Sequence, residues 1–188
     1  MTDPRRIDES AAAISRRLRS CGIAHALGGA LAYNYFGVPR TTGDIDFNVF
    51  VSVEDASAVF DCLTAIGVEV SAKAAAELER DWQVRLWWEG RYIDLFFAYH
   101  AFHDSCRARA VERDVTGEMV PVLTAEDVVV FKTIFNRPRD WGDIERVLDV
   151  QREHFDIAYA LHWLDDILGP DDTARNRLAA MHREVMEN

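Results

Sequence analysis

From Asp8 to Cys21 the run DESAAAISRRLRSC is rich in Ala and Arg and predicts a helix that Gly22 ends. Ile23 to Leu27 predicts a short strand that runs into Gly28-Gly29. Ala30 to Phe36 predicts a helix, stopped by Gly37 and Pro39. At Asp44 the period changes to two. Along DIDFNVFVS, Ile45, Phe47, Val49 and Val51 fall on one face of a strand, and Asp44, Asp46 and Asn48 fall on the other. Glu54 to Ile66 predicts an amphipathic helix. Trp82 to Trp88 and Tyr92 to Ala98 predict two strands joined at Glu89-Gly90, and Val111–Val115 and Met119–Leu123 predict short edge strands around Gly117.

From Thr124 the pattern is helical throughout. Thr124 to Asp127 resembles a capping box with Asp in place of Glu. Helices are expected at about 125–136, 140–152, 156–168 and 171–186, with Pro138 and Gly169-Pro170 between them. Strands mixed with helices, followed by helices alone, indicate an α/β (α+β) chain. The expected division is a mixed-sheet core over residues 1–123 and a C-terminal helical region packed on it over 124–188.

Charge narrows the partners. The 188 residues carry a net charge of -11, so broad nucleic-acid binding is not expected, although a local basic path is compatible with it. Lys73 and Lys132 are the only lysines, and arginine supplies nearly all positive charge. No apolar run nears the roughly 20 residues of a membrane span, and no leader pattern opens the chain, so a cytoplasmic location is expected. Cys21, Cys62 and Cys106 lack metal-ligand spacing and read as three reduced thiols.

The chemistry concentrates in three aspartates. Asp44 and Asp46, two apart on a strand, share a face at roughly 6–7 Å. That suits carboxylates flanking a hard cation such as Mg2+ or Mn2+ together with substrate phosphates. Asp94 interrupts the apolar run Tyr92, Ile93, Leu95, Phe96, Phe97. A buried acid wants a partner, either a cation or one of Arg85 and Arg91. A third carboxylate on a neighbouring strand would complete a clamp that activates an attacking hydroxyl and stabilises leaving pyrophosphate. Gly28-Gly29, between a strand and a helix, would present backbone N–H groups to phosphate. Taken alone, Asp44 and Asp46 read as solvent-facing strand residues.

The run GGALAYNYFGVPRTTGDIDFNV resembles the signature of the DNA polymerase beta-like nucleotidyltransferase superfamily. That signature is a Gly-Gly or Gly-Ser pair, a helix, Asp-x-Asp, and a later third Asp. Arg40, Thr41 and Thr42 ahead of the aspartates, and Lys132, Arg139-Asp140 and Asp143 in KTIFNRPRDWGD, are similar to the AbiEii-type toxins and related minor nucleotidyltransferases. The resemblance spans roughly residues 25–148. It implies an enzyme that moves a nucleoside monophosphate from ATP or another NTP to a hydroxyl and releases pyrophosphate. The acceptor would be a tRNA, a protein or a small molecule such as an antibiotic. A toxin paired with an antitoxin protein is the implied setting; a degenerate nucleotide-binding or partner-binding member is the alternative.

The resemblance also implies residue roles. Asp44 and Asp46 would bind metal and triphosphate, with Asp94 as third ligand or general base. Gly28, Gly29, Arg40 and Thr42 would serve the phosphates. Lys132 would meet triphosphate or base, oriented by Asp143. Where relatives carry Ser or Thr near the glycines, this chain has Gly29-Ala30 and lacks that hydroxyl. On its residues alone, Lys132 reads as a snorkelling surface lysine, and Asp140 and Asp143 as N-terminal acids of a helix. His100 and His103 lack a third ligand, and Trp82, Trp87, Trp88 and Trp141 fit core packing better than base stacking.

Overall fold

The computed structural model describes residues 6–187. It falls into two compact units. One runs up to Leu31 and resumes from Thr41 to Leu123; the other takes Ala32–Arg40 and everything from Thr124 on. The segment after the double glycine thus belongs with the C-terminal helices, although it precedes the aspartates in the chain.

The first unit is built on a six-stranded mixed sheet: β1 (His25–Leu27), β2 (Ile45–Val49), β3 (Gln83–Trp88), β4 (Arg91–Phe97), β5 (Val111–Val115) and β6 (Glu118–Val122), in spatial order β3-β4-β2-β1-β6-β5. Apolar rows cross it in register. Ile45 lies beside Ile93, which lies beside Leu86; Phe47 lies beside Leu95, which lies beside Val84. All six are buried. A row of branched and aromatic side chains on one face is what period-two alternation on three adjacent strands must give. β6 pairs with β1 as well as β5, so only β5 of the two C-terminal strands is an edge, a correction to the expected pair of edge strands.

Helices α1 (Ile7–Ser20), α2 (Gly29–Tyr33), α3 (Ala56–Thr64), α4 (Ala74–Asp81) and α5 (Ala101–Arg109) follow the chain up to β5. α1 packs on β1, β5 and β6 and against α3, while Phe60 of α3 meets Phe97 edge-on beneath β4. Buried Ser15 of α1 donates to His25 Nε2 at 2.8 Å, and His25 Nδ1 donates to the Ile23 carbonyl. Burial disfavours the charged ring and lowers the His25 pKa.

The expectation of three reduced thiols is corrected. Cys21, at the end of α1, and Cys62, in α3, form a disulfide across 41 residues of sequence, with Cα atoms 6.3 Å apart. Their proximity comes from the packing of α1 on α3, which spacing alone does not reveal. Cys106 is free and buried.

The second unit holds α6 (Ala125–Phe135), α7 (Pro138–Gln151), α8 (Ile157–Ile167) and α9 (Thr173–Glu187). The capping box forms: the Thr124 side chain accepts from Asp127 N–H, and Asp127 accepts from Thr124 N–H. Pro138 occupies the first turn of α7, where its missing N–H costs nothing. α6 packs on α7, α8 and α9. Among the described residues no helix is long and apolar enough to cross a membrane.

Closing a loop of this size by a disulfide contributes about 4 kcal/mol. Cys62→Ser should lower the unfolding free energy by about that amount in urea titrations. Dithiothreitol should do the same to the wild type and add nothing to the variant.

Candidate functional site

β2 and β4 run parallel, with Asp46 directly beside Asp94. β3 reaches β4 through the Glu89-Gly90 turn and pairs with it antiparallel, which sets Arg85 directly beside Asp94. One line across three strands therefore reads Asp46, Asp94, Arg85, on the face opposite the buried apolar rows. Asp44 lies just before β2 rather than within it, and its chain position is set by Thr42. The Thr42 hydroxyl donates to the Asp44 carbonyl and accepts from the Asp44 N–H at 3.3 and 3.4 Å. Asn48, expected on the same polar face, is instead buried, at 3% exposure.

Arg85 is the cation of this line. Its Nε and Nη2 donate to the two oxygens of Asp94 at 2.7 and 2.6 Å, and Nη2 stands 3.8 Å from Asp44. The hydrogen bonds to Asp94 raise the guanidinium pKa further, burial opposes them, and the charges of Asp94, Asp44 and Asp46 add to the rise. Arg85 and Arg91 were equal candidates from sequence; the two-residue turn decides, because it places Arg85 across from Asp94. Among the described residues no three His, Cys, Asp or Glu are gathered into a metal-holding group. The donor chemistry of the three aspartates nevertheless suits a hard divalent cation, as does the adjacency of Asp46 and Asp94, on strands about 4.8 Å apart. One of the three, Asp94, has both oxygens bonded to the Arg85 guanidinium.

The glycines fit against β2. Gly28 donates its N–H to the Asp46 carbonyl at 2.9 Å, so that donor is engaged in the fold and not available to phosphate. A Cβ on Gly28 would stand 2.7 Å from Asn48 Nδ2. Gly29 has φ +54°, and a Cβ there would overlap the Asp46 carboxylate outright. Gly29 is thus required twice, by its backbone conformation and by the space the carboxylate fills.

Lys132, Asp143 and Arg40 come together within the second unit. Lys132 is buried, at 5% exposure, which corrects its reading as a surface lysine. Nζ donates to Asp143 at 2.6 Å and to Asp140 at 3.4 Å. Arg40 donates Nε and Nη2 to the two Asp143 oxygens at 3.0 and 2.8 Å. Arg137 donates to Asp140 at 2.6 Å. The Tyr33 ring lies 5.5 Å from Lys132 Nζ and 5.6 Å from the Arg40 guanidinium, a neighbour that sequence spacing did not signal. Asn34 fixes the backbone of Arg40 by accepting from its N–H and donating to its carbonyl. Burial opposes ionisation of Asp143, yet hydrogen bonds from Arg40 and Lys132 outweigh it and bring its pKa below the ordinary 3.8.

The other candidates separate by exposure. Trp88 and Trp141 are buried, whereas Trp82 stacks on Tyr99 and Trp87 meets Tyr92 edge-on, all four of these rings partly exposed. His100 caps α5 by accepting from Phe102 N–H. His103 is buried, which lowers its pKa.

No family model matches the chain. No curated protein matches it either. Solved structures do. The solution structure of the antibiotic-resistance factor ANT(2'')-Ia aligns with a TM-score of 0.55 at 15% identity, covering 97% of this chain and 100% of that one. The lincosamide antibiotic adenylyltransferase LnuA, with lincomycin bound, gives 0.51 at 15% identity over 74% of this chain and 94% of its own. An antigenic nucleotidyltransferase-like protein from Paracoccidioides brasiliensis gives 0.52 at 13% identity over 96% of each. The architecture is accordingly the mixed α/β nucleotidyltransferase fold.

Two outcomes follow from the geometry. Gly29→Ala should cost at least about 1–2 kcal/mol of stability, because an L-residue is strained at that φ, and thermal denaturation will read it. Asp143→Asn should cost about 3 kcal/mol by leaving buried Lys132 short of a counter-ion. A depressed carboxylate pKa gives stability that is present above the unfolded value of 3.8 and lost as pH falls below it. The variant's denaturation midpoint should therefore fall less steeply than the wild type's below that pH.

Proposed function

We propose that the chain is a divalent-metal-dependent nucleotidyltransferase that moves a nucleoside monophosphate from an NTP to a hydroxyl of a small-molecule acceptor. The observation that carries this is the register of Asp46 beside Asp94, with Asp44 at the entry to the same strand and Gly29 pressed against the Asp46 carboxylate. Support for the reaction class also comes from the nucleotidyltransferase fold.

Asp44, Asp46 and Asp94 would hold the cation, which supplies charge neutralisation of the triphosphate and of the leaving pyrophosphate. Asp94, side chain 16% exposed, would serve either as the third ligand or as the base for the acceptor hydroxyl. Thr42 fixes the turn that delivers Asp44. Gly29 would give the phosphates close access to the backbone beside Asp46. For Lys132 and Asp143 the burial supports a positioning role, in which they hold α6 and α7 together with the Arg40 segment. Arg40, with 35% of its side chain exposed, is the member of that group open to a phosphate.

A small acceptor is favoured over a polyanion by the net charge of -11. It is also in keeping with two of the structural neighbours, one described as an antibiotic-resistance factor and one as a lincosamide antibiotic adenylyltransferase. A second reading, a nucleotide-binding member without transfer, draws on the pairing of Arg85 with Asp94.

Incubation with labelled NTPs, Mg2+ and panels of aminoglycosides, lincosamides and total tRNA separates these readings. Label should pass to a small hydroxyl compound, and Asp44→Asn or Asp46→Asn should each reduce transfer roughly 10³-fold. Label on tRNA instead would overturn the small-acceptor assignment. Joint thermal stabilisation by Mg2+ and NTP without transfer to any acceptor would favour the binding member.

A further inference from the structure

We propose that Arg85 is an internal counter-cation that holds the aspartate row in the absence of metal, and that a divalent cation entering the row must displace it from Asp94. The inference rests on the metal-site reading above and adds a competition that the three aspartates alone do not imply.

The register sets Arg85 directly across from Asp94, the one acid of β4. Both Asp94 oxygens accept from one guanidinium, at 2.7 and 2.6 Å. A two-point fork of this kind is the strong form of a charge-assisted hydrogen bond. It engages a lone pair on each oxygen that a metal would use, and it adds a positive charge 3.8 Å from Asp44. A cation approaching the row therefore meets both a blocked ligand and a like charge.

The block is removable. The Arg85 side chain is 52% exposed, so water can replace its bonds at little cost. Its guanidinium also lies 4.8 Å from the centre of the exposed Tyr92 ring. That cation–π contact gives the side chain a seat that does not depend on Asp94. Once displaced, the guanidinium is a donor beside the aspartates, suited to phosphate oxygens. Metal and triphosphate then assist each other, because the triphosphate accepts the group that the metal evicts, and such coupling is reciprocal.

Mn2+ binding followed by electron paramagnetic resonance tests this directly in the wild type, Arg85→Gln, Arg85→Lys and Asp46→Asn, without nucleotide. Arg85→Gln should bind Mn2+ about fivefold more tightly than the wild type, which corresponds to roughly 1 kcal/mol. Arg85→Lys, which keeps the charge and loses the fork, should fall between them. A non-hydrolysable NTP analogue should tighten Mn2+ binding more in the wild type than in Arg85→Gln. Equal or weaker Mn2+ binding by Arg85→Gln, with binding abolished in Asp46→Asn, would overturn the counter-cation role and leave the metal site standing. Absence of Mn2+ binding in both the wild type and Arg85→Gln would sink the metal reading and this inference with it. If Arg85→Gln is too unstable for resonance work, the rise of its melting temperature with Mn2+, set against that of Arg85→Lys, makes the same comparison.

Discussion

Two carboxylates on neighbouring parallel strands, in direct register, repel each other unless positive charge lies beside them. Asp46 and Asp94 are such a pair, and Asp44 adds a third acid at the entry to β2. Much of the first unit's geometry follows from keeping them there. The alternation of β2 and β4 buries Ile45, Phe47, Ile93 and Leu95 and so commits Asp46 and Asp94 to the other face. The tight turn at Glu89-Gly90 sets Arg85 beside Asp94. Gly29 leaves room for the Asp46 carboxylate, and Gly28 ties its own backbone to that of Asp46.

The second unit solves a comparable problem differently. Lys132 sits on α6 among Val128, Val129 and Val130, all buried, and there an ammonium without partners would be costly. Asp143 and Asp140, on α7, supply the counter-charge, and Arg40 and Arg137 complete it from less buried positions. The network joins α6, α7 and the 32–40 segment, so a stretch remote in sequence is fixed to the helical unit by ion pairs as well as by packing. The amide of Gln151 adds to this by donating to the Phe36 carbonyl at 2.8 Å.

Much of the fold was legible in periodicity. The paired strands around Glu89-Gly90 located β3 and β4 to within a residue, and alternation along DIDFNVFVS found β2, which ends three residues earlier, at Val49. Where the signal failed, competing forces were at work. α4 and α5 have short, polar stretches with few periodic apolar residues, so pattern alone could not mark them. Lys132 misled because its helix is apolar on most sides, and the acids that neutralise it lie beyond Pro138 on another helix. The disulfide was invisible because Cys21 and Cys62 meet only through helix packing. Of the site, the aspartate face was readable; the need for Gly29 lies in its φ and in the Asp46 carboxylate, which the pattern did not show. The engagement of the Gly28 N–H and the choice of Arg85 over Arg91 required strand register.

Exposure distinguishes what the two charged groups can do. In the helical unit, Lys132, Asp140 and Asp143 have side chains 7%, 1% and 4% exposed, so removing one partner strands a buried charge. Such a network is costly to open and suits a fixed strut. In the sheet unit, the cation is a half-exposed arginine with a second seat on Tyr92, and its carboxylate partners are hard-cation ligands by chemistry. Its bonds can be exchanged for water, metal or phosphate at small net cost. A site that must empty and refill with each turnover needs the second kind of charge balance. The proposed ligand chemistry therefore draws on the aspartate row beside Arg85, and the buried Lys132 network is a fixed strut within its own unit.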